Sequence, residues 1–206
     1  MSQTTAPLIF LTDYDPQWPD FYDGEVARLT GALGLPALAM HHIGSTAVPG
    51  LRSKPLIDIL ATVPVVEEKE KYLPLLTPLG YNYREVHDPG RLFFEKREPF
   101  RFHVHIVQED GWHQWRLLLF RDRLREDKLT AAAYVELKRR LAEEHPDNRD
   151  LYSGGKSLFV TRTVQAELRH RPELLARLRA SGAPVDAPFE HKRDPDTESF
   201  SFDYKK

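Results

Sequence analysis

The sequence predicts an α+β fold, a small mixed β-sheet flanked by helices and followed by a C-terminal helical region. Three observations carry this. Ile57 to Val63 is a β-branched, aliphatic run of the kind found in strands buried on both faces. Between residues 81 and 107 three short strand patterns follow one another closely, with turn residues between them. After Gln108 the apolar residues switch to helical spacing and keep it for about 70 residues. A chain of 206 residues can bury one core of this size with a helical appendage. The expected organisation is an α/β core over 8–108, a helical region packed on it over 109–181, and a flexible tail over 182–206.

In chain order, Leu8 to Leu11 is a short apolar run, a first strand or a staple. Asp15 and Pro16 form a helix start, Asp15 suited to capping and Pro16 to the first helical position. Tyr22, Val26, Leu29 and Leu33 then share one helical face, and Gly34 with Pro36 closes it. Leu38 leads into a strand that ends at His42-Ile43. Val66 to Leu79 has helical rhythm with Pro74 as a break or kink, and Gly80 suits its C-terminus. The strands Tyr81–Val86, Arg91–Lys96 and Arg101–Val107 follow, turned by Asp88-Pro89-Gly90 and Glu98-Pro99, and are expected to pair antiparallel. Asp110 is placed to cap a helix that is apolar on much of its surface (Trp115, Leu117 to Phe120, Leu124), so that helix lies between layers. Further helices are expected over Leu129–His145, Lys156–His170 and Pro172–Ala180.

Composition excludes several classes. Net charge is −2, from 29 basic and 31 acidic residues, so no global field draws nucleic acid or an anionic membrane. The absence of cysteine removes disulfides, thiolate metal sites and a cysteine nucleophile. No apolar run approaches a membrane span and the start shows no signal-peptide pattern, so a cytoplasmic location is expected.

The chemistry concentrates at His41 to Leu60. Gly44-Ser45-Thr46 is a tight polar loop between two strands, with Arg52 and Lys54 shortly downstream. The spacing is not that of a P-loop, because no Lys-Ser or Lys-Thr follows Gly50, nor that of a dinucleotide-binding turn. Its N–H groups and hydroxyl suit phosphate oxygens if a helix or nest opens there; a plain turn with two solvated basic side chains is the alternative. Asp58 lies within Leu56-Ile57-Asp58-Ile59-Leu60, where an unpaired charge costs several kcal/mol. It is therefore paired (an arginine being the plain case), bound to a metal or catalytic, or sited at the rim of the sheet. His103 and His105 share one face of their strand, and His42 on a neighbouring strand is placed to join them and Asp58 around a metal; His41 alternates to the other face. Arg121, Tyr152 and Lys156 are basic or polar groups able to face a ligand across a cleft.

Taken together, these residues resemble the GrpB family, placed in the DNA polymerase β-like nucleotidyltransferase superfamily. The resemblance runs from Tyr14-Asp15-Pro16 and Trp18-Pro19 through His42-Ile43-Gly44-Ser45-Thr46, Val48-Pro49-Gly50, Lys54-Pro55 and Asp58-Ile59. It continues in His103-Val104-His105, in Trp115-Arg116 to Leu124-Arg125, and in Tyr152 with Lys156. It implies a nucleotidyltransferase-like sheet, with Gly44-Ser45 as the Gly-Ser signature and Asp58 as the first strand acid. It further implies phosphate binding by Gly44, Ser45, Thr46, Lys54, Arg121, Tyr152 and Lys156, and a divalent metal (magnesium or manganese, alternatively zinc) on Asp58, His103, His105 and His42. Asp58 and Ser45 would then be catalytic, and the partners a nucleotide and a small-molecule acceptor. The superfamily pattern wants a second acid two residues after the first, where this chain has Leu60, and a third on a neighbouring strand, where it offers His103 and His105. Three functions follow as expectations: metal-dependent nucleotidyl transfer, non-catalytic nucleotide or metabolite binding, and a His/Asp metal-dependent hydrolase.

Overall fold

The computed structural model describes residues 9–86, 88–187, 190–193 and 200–203. Helix α1 (Trp18–Leu33) buries Trp18, Val26 and Leu29 on one face, and its end is set by Gly34 in the left-handed conformation. Its start departs from expectation. Gln17 is the N-cap residue and Pro19, not Pro16, stands in the first turn, while Asp15 accepts the Gln17 N–H at 2.9 Å in a turn outside the helix. A single 3-10 turn (Ala37–Ala39) takes up Leu38, so strand β1 begins only at Met40 and runs to Ile43. A second 3-10 turn (Ser45–Ala47) and an extended connector lead to β2 (Ile57–Val63).

Helix α2 (Lys69–Leu76) continues past Pro74 and tightens into a 3-10 turn over Thr77–Leu79, so the proline neither breaks nor ends it. Strands β3 (Asn82–Arg84), β4 (Arg91–Lys96) and β5 (Phe102–Gln108) complete a five-stranded sheet of order β1-β2-β5-β4-β3. The β3, β4 and β5 neighbours are antiparallel, and so are β1 and β2; β2 joins β5 in parallel. The strand of Asp58 is therefore internal, and the sheet is mixed.

Alternation divides the sheet into two faces. On one, Met40, Ile57, Ile59, Ala61, Phe94, Phe102, Val104 and Ile106 pack with Trp18, Val26 and Leu29 of α1 and Tyr72 and Leu76 of α2. A fully buried Ile, Leu, Val, Met or Phe among them contributes about 1.5–3 kcal/mol. The other face carries Ile43, Asp58, Leu60, His103, His105 and Val107, and is only partly apolar.

That second face receives the helical region: α3 (Trp112–Glu126), α4 (Lys128–Glu144), α5 (Arg149–Gly154), α6 (Ser157–Arg169) and α7 (Pro172–Ala180). Helix α3 lies between layers as its composition requires. Leu118 packs on Ile43, Leu60 and Val107 of the sheet; Leu119 joins Val164 and Leu168 of α6; Leu124 joins Tyr134 of α4. Asp110 does not cap it. Asp110 takes a positive φ of 56° and gives its N–H to Gln114 Oε1, and Gly111 is the N-cap residue. Helix α5, capped by the Asn148 side chain, is a short helix between the two expected over Leu129–His145 and Lys156–His170.

At the beginning Ile9 is buried beside Leu141 and Tyr152, and Thr12 bridges to Ser53; Leu8 lies outside the described residues. Of the expected tail, Val185 is buried against Leu178, and β6 (Glu190–Arg193) pairs antiparallel with β7 (Phe200–Asp203). Residues 188–189, 194–199 and 204–206 lie outside the described residues. Among the described residues no helix is long and apolar enough to cross a membrane.

Candidate functional site

The register of three strands writes the site as rows. Asp58 on β2 stands beside His103 on β5, which stands beside Glu95 on β4; one row along are Leu60, His105 and Phe93. Neighbours in a row share a face. His103 Nδ1 therefore reaches Asp58 Oδ1 at 3.1 Å, and His105 Nε2 comes within 3.6 Å of the same oxygen. Ligand atoms of Asp58, His103 and His105 all lie within 4.8 Å of one another. Phe93 packs against both imidazoles, its ring 4.8 Å from that of His103 and 5.0 Å from that of His105. Glu95 is engaged elsewhere, by Arg84 and Arg97.

Burial pushes the Asp58 carboxyl up, but hydrogen bonds and charge from His103 and His105 outweigh it and hold the group well below the usual carboxylate range. Burial pulls His105 down to about 4, against the pull of Asp58.

Gly44 is required here. It takes φ 72°, and a Cβ on it would stand 2.3 Å from Asp58 Oδ2, so the loop passes directly over the carboxylate. Behind it only a three-residue 3-10 turn opens, not a long helix, so a helix terminus is not the source of positive charge.

Lysines supply that charge. Ser45, Lys54, Asp58, His103, Tyr134, Lys138, Tyr152, Ser153 and Lys156 line a cleft of about 210 Å³. Lys138 Nζ lies 3.1 Å from Ser45 Oγ and donates to the Arg52 carbonyl, and it sits 5.0 Å from the Tyr134 ring centroid. Lys54 and Lys156 lie over the Tyr152 ring at 4.9 and 4.4 Å. Burial, reinforced by Lys54, lowers Lys138 to about 7; burial, reinforced by Lys54 and Lys138, does the same to Lys156. Three ammonium groups thus converge where the cleft lining offers one carboxylate, that of Asp58.

The structure therefore brings together Gly44, Ser45, Lys54, Asp58, His103, Tyr152 and Lys156, with His105 touching Asp58 from behind. It separates three expected site residues. His42 pairs with Ile59 in the β1–β2 register and so points to the α1 face, where it stacks on Tyr22; it is no ligand partner of Asp58. The sequence reading assigned His41 and His42 to the wrong faces, because Ile43, not His42, stands opposite Asp58. Thr46 is buried with its hydroxyl donating to the Leu56 carbonyl at 3.0 Å and lying 3.1 Å from His42 Nε2, so its hydroxyl is not turned to the cleft. Arg121 is not in the cleft lining: it donates to the His42 carbonyl at 3.1 Å and pairs with Asp122. With Arg125, which donates to the Ala47 carbonyl at 2.8 Å, it clamps the Gly44 loop from α3.

Lys138 was missed by sequence reasoning. Its signal was present, since Tyr134, Lys138 and Leu141 fall at i, i+4, i+7 on one face of α4 and all three are buried. A lysine inside an apolar stripe needs a reason.

A family model described as GrpB protein matches residues 8–166. A UPF0157 protein of Pseudomonas aeruginosa is 41% identical over 159 residues, covering 73% of this chain and 64% of its own length. The chain thus spans less than two thirds of that relative. A dephospho-CoA kinase of Mycolicibacterium paratuberculosis is 31% identical over 178 residues, which cover 73% of this chain and 44% of the kinase. The crystal structure of the conserved protein GrpB from Enterococcus faecalis superposes with a TM-score of 0.70 at 35% identity, over 79% of this chain and 99% of that one. All of the residues that line the cleft fall within the matched span, and the chain belongs to the GrpB protein family.

Proposed function

We propose that the protein is a nucleotidyltransferase-like domain that binds a nucleotide by its phosphates. The phosphates lie against Ser45, Lys54, Lys138 and Lys156, and the base lies toward the cleft mouth. The observation that carries this reading is the set of three lysines, Lys138 buried and Lys54 and Lys156 half-buried, around a single carboxylate. Buried ammonium groups without acids cost free energy that a polyanion replacing the water would recover. A cleft of about 210 Å³ is smaller than the roughly 300–1,000 Å³ of sites that enclose a whole ligand. It suits the phosphate end alone.

The donor set fits one divalent cation and not two. Asp58 and His103 would hold it, and it would neutralise phosphate charge when bound. The place for a second acid is Leu60, which is fully buried among Ile43, Val107 and Leu118. One carboxylate and one imidazole do not hold the paired metals that nucleotidyl transfer to an acceptor uses. A cytoplasmic location goes with a nucleotide ligand, and the mycobacterial relative's name makes dephospho-CoA one nucleotide worth including.

The test is thermal shift and titration calorimetry with nucleoside triphosphates, dephospho-CoA and inorganic triphosphate, each with and without magnesium, manganese or zinc. The expected result is a rise in Tm of several degrees with a nucleotide, lost in Lys138→Met and Lys156→Met. If zinc alone stabilises the protein and no phosphate compound does, the reading fails in favour of a His/Asp metal hydrolase.

A further inference from the structure

Asp58, His103 and His105 form a three-ligand set by distance alone, but one contact gives the two histidines different roles. Arg91 on β4 places Nη1 3.1 Å from His105 Nδ1. A guanidinium only donates hydrogen bonds, so Nδ1 is the acceptor and carries no proton. The neutral ring's proton is then on Nε2, the atom 3.6 Å from Asp58 Oδ1. Arg91 is itself fixed, with Nε 2.9 Å from Asp88 Oδ2 and its side chain 11% exposed. A metal-bound histidine needs the opposite arrangement. The coordinating nitrogen gives its lone pair to the ion while the other N–H donates to a carboxylate or carbonyl. Turning His105 into a ligand through Nε2 would put an N–H on Nδ1 directly against the Arg91 donors.

We propose that Arg91 is a specificity-determining residue that withholds His105 from any cation in the cleft and turns its Nε2–H toward Asp58 instead. The inference rests on the reading that a cation is held at Asp58, and sharpens it: among the described residues, one carboxylate and His103 are the protein ligands. Zinc sites use three or four protein ligands, whereas magnesium commonly keeps several waters and takes one or two carboxylates plus phosphate oxygens. Arg91 therefore biases the cleft against zinc and toward a hard cation that arrives with the nucleotide.

Two measurements test this. The first needs no variant, cation or nucleotide. Nitrogen-15 spectra of histidine-labelled protein should show His105 with a protonated Nε2 and an unprotonated Nδ1. The reverse assignment overturns the proposal, whatever becomes of nucleotide binding. The second is direct zinc titration. Arg91→Met should bind zinc at least tenfold more tightly than the native protein, Arg91→Lys, which keeps a donor, should stay near native, and His105→Ala added to Arg91→Met should cancel the gain. Unchanged zinc affinity in a folded Arg91→Met, or a native zinc complex ligated by His105, overturns it; if Arg91→Met does not fold, the tautomer assignment decides.

Discussion

Asp58 occupies the space that a side chain at residue 44 would need. A Cβ on Gly44 would lie 2.3 Å from Asp58 Oδ2 and 3.1 Å from its Cγ, and the backbone there has a φ that favours glycine. Gly44→Ala should therefore cost about 1–3 kcal/mol for strain and overlap, and should displace the carboxylate from His103. Adding Asp58→Ala removes the 2.3 Å overlap but leaves the 3.2 Å contact with the Cβ of residue 58 and the φ strain. The double variant should then unfold at a higher temperature than the sum of the single changes requires, which a double-mutant cycle measures. Strict additivity would show that the loop does not rest on Asp58.

Lys138 makes stability depend on pH in an unusual direction. Its pKa falls from the ordinary lysine value to about 7 on folding, and that of Lys156 does the same. Above pH 7 the unfolded chain holds protons that these folded groups have lost, so their burial cost is full below pH 7 and is relieved as pH rises toward 10. Lys138→Met keeps the volume and removes that cost. It should raise Tm by a few degrees at pH 6, and the gain should shrink by pH 9 as the native lysine discharges. A gain that grows with pH would reverse the sign and exclude this account. Ligand phosphate would recharge both lysines, so binding at pH 8 should take up protons, read as a dependence of calorimetric heat on buffer ionisation enthalpy.

On the far face of the sheet, Glu25 accepts from Lys96 Nζ at 2.7 Å and from Tyr81 Oη at 2.9 Å, and the Glu25 and Lys96 side chains are both only 4% exposed. Removing Lys96 takes away the one buried cation of Glu25 and leaves it Tyr81 Oη and the half-exposed Arg28 at 3.7 Å. Lys96→Met should cost about 3–5 kcal/mol in chemical denaturation. Glu25→Leu combined with Lys96→Met should recover much of that loss, while leaving the affinity for phosphate compounds unchanged, because the pair lies across the sheet from the cleft.

The sheet, most helices and the acid of the site were legible in the sequence because local patterns encode them. The run Ile57–Val63 and the alternation of residues 102–107 needed no tertiary information to be assigned as strands. What failed depends on register and side-chain direction. Whether His41 or His42 shares a face with Asp58 is decided by a one-residue offset between β1 and β2, and a slip of one exchanges the faces. Arg121 and Thr46 carry the right chemistry for a phosphate site, but their hydrogen bonds to the His42 and Leu56 carbonyls commit them to holding the loop. Lys138 reaches Ser45 across 93 positions, and the contact exists only once α4 has docked.

Leu60 decides how far the chain keeps the chemistry its fold suggests. It lies two residues beyond Asp58 on the same face, where paired acids would share two metals. There it is fully buried under Leu118, with Ile43 and Val107 beside it. An acid cannot be restored at this position by exchange alone, because the helix that seals it would have to withdraw. Leu60→Asp should place an unpaired carboxylate in an apolar cluster and cost several kcal/mol, while Leu60→Met should cost less than about 1.5 kcal/mol. The Asp variant should also gain no magnesium affinity, measured by calorimetry on protein shown by circular dichroism to be folded. Tighter magnesium binding in folded Leu60→Asp would mean that α3 yields at Leu118 and that the cleft is one substitution from a two-acid site. The unchanged affinity expected here would mean that the packing of α3 on β2, and not the missing oxygen atoms alone, keeps a second acid out of this cleft.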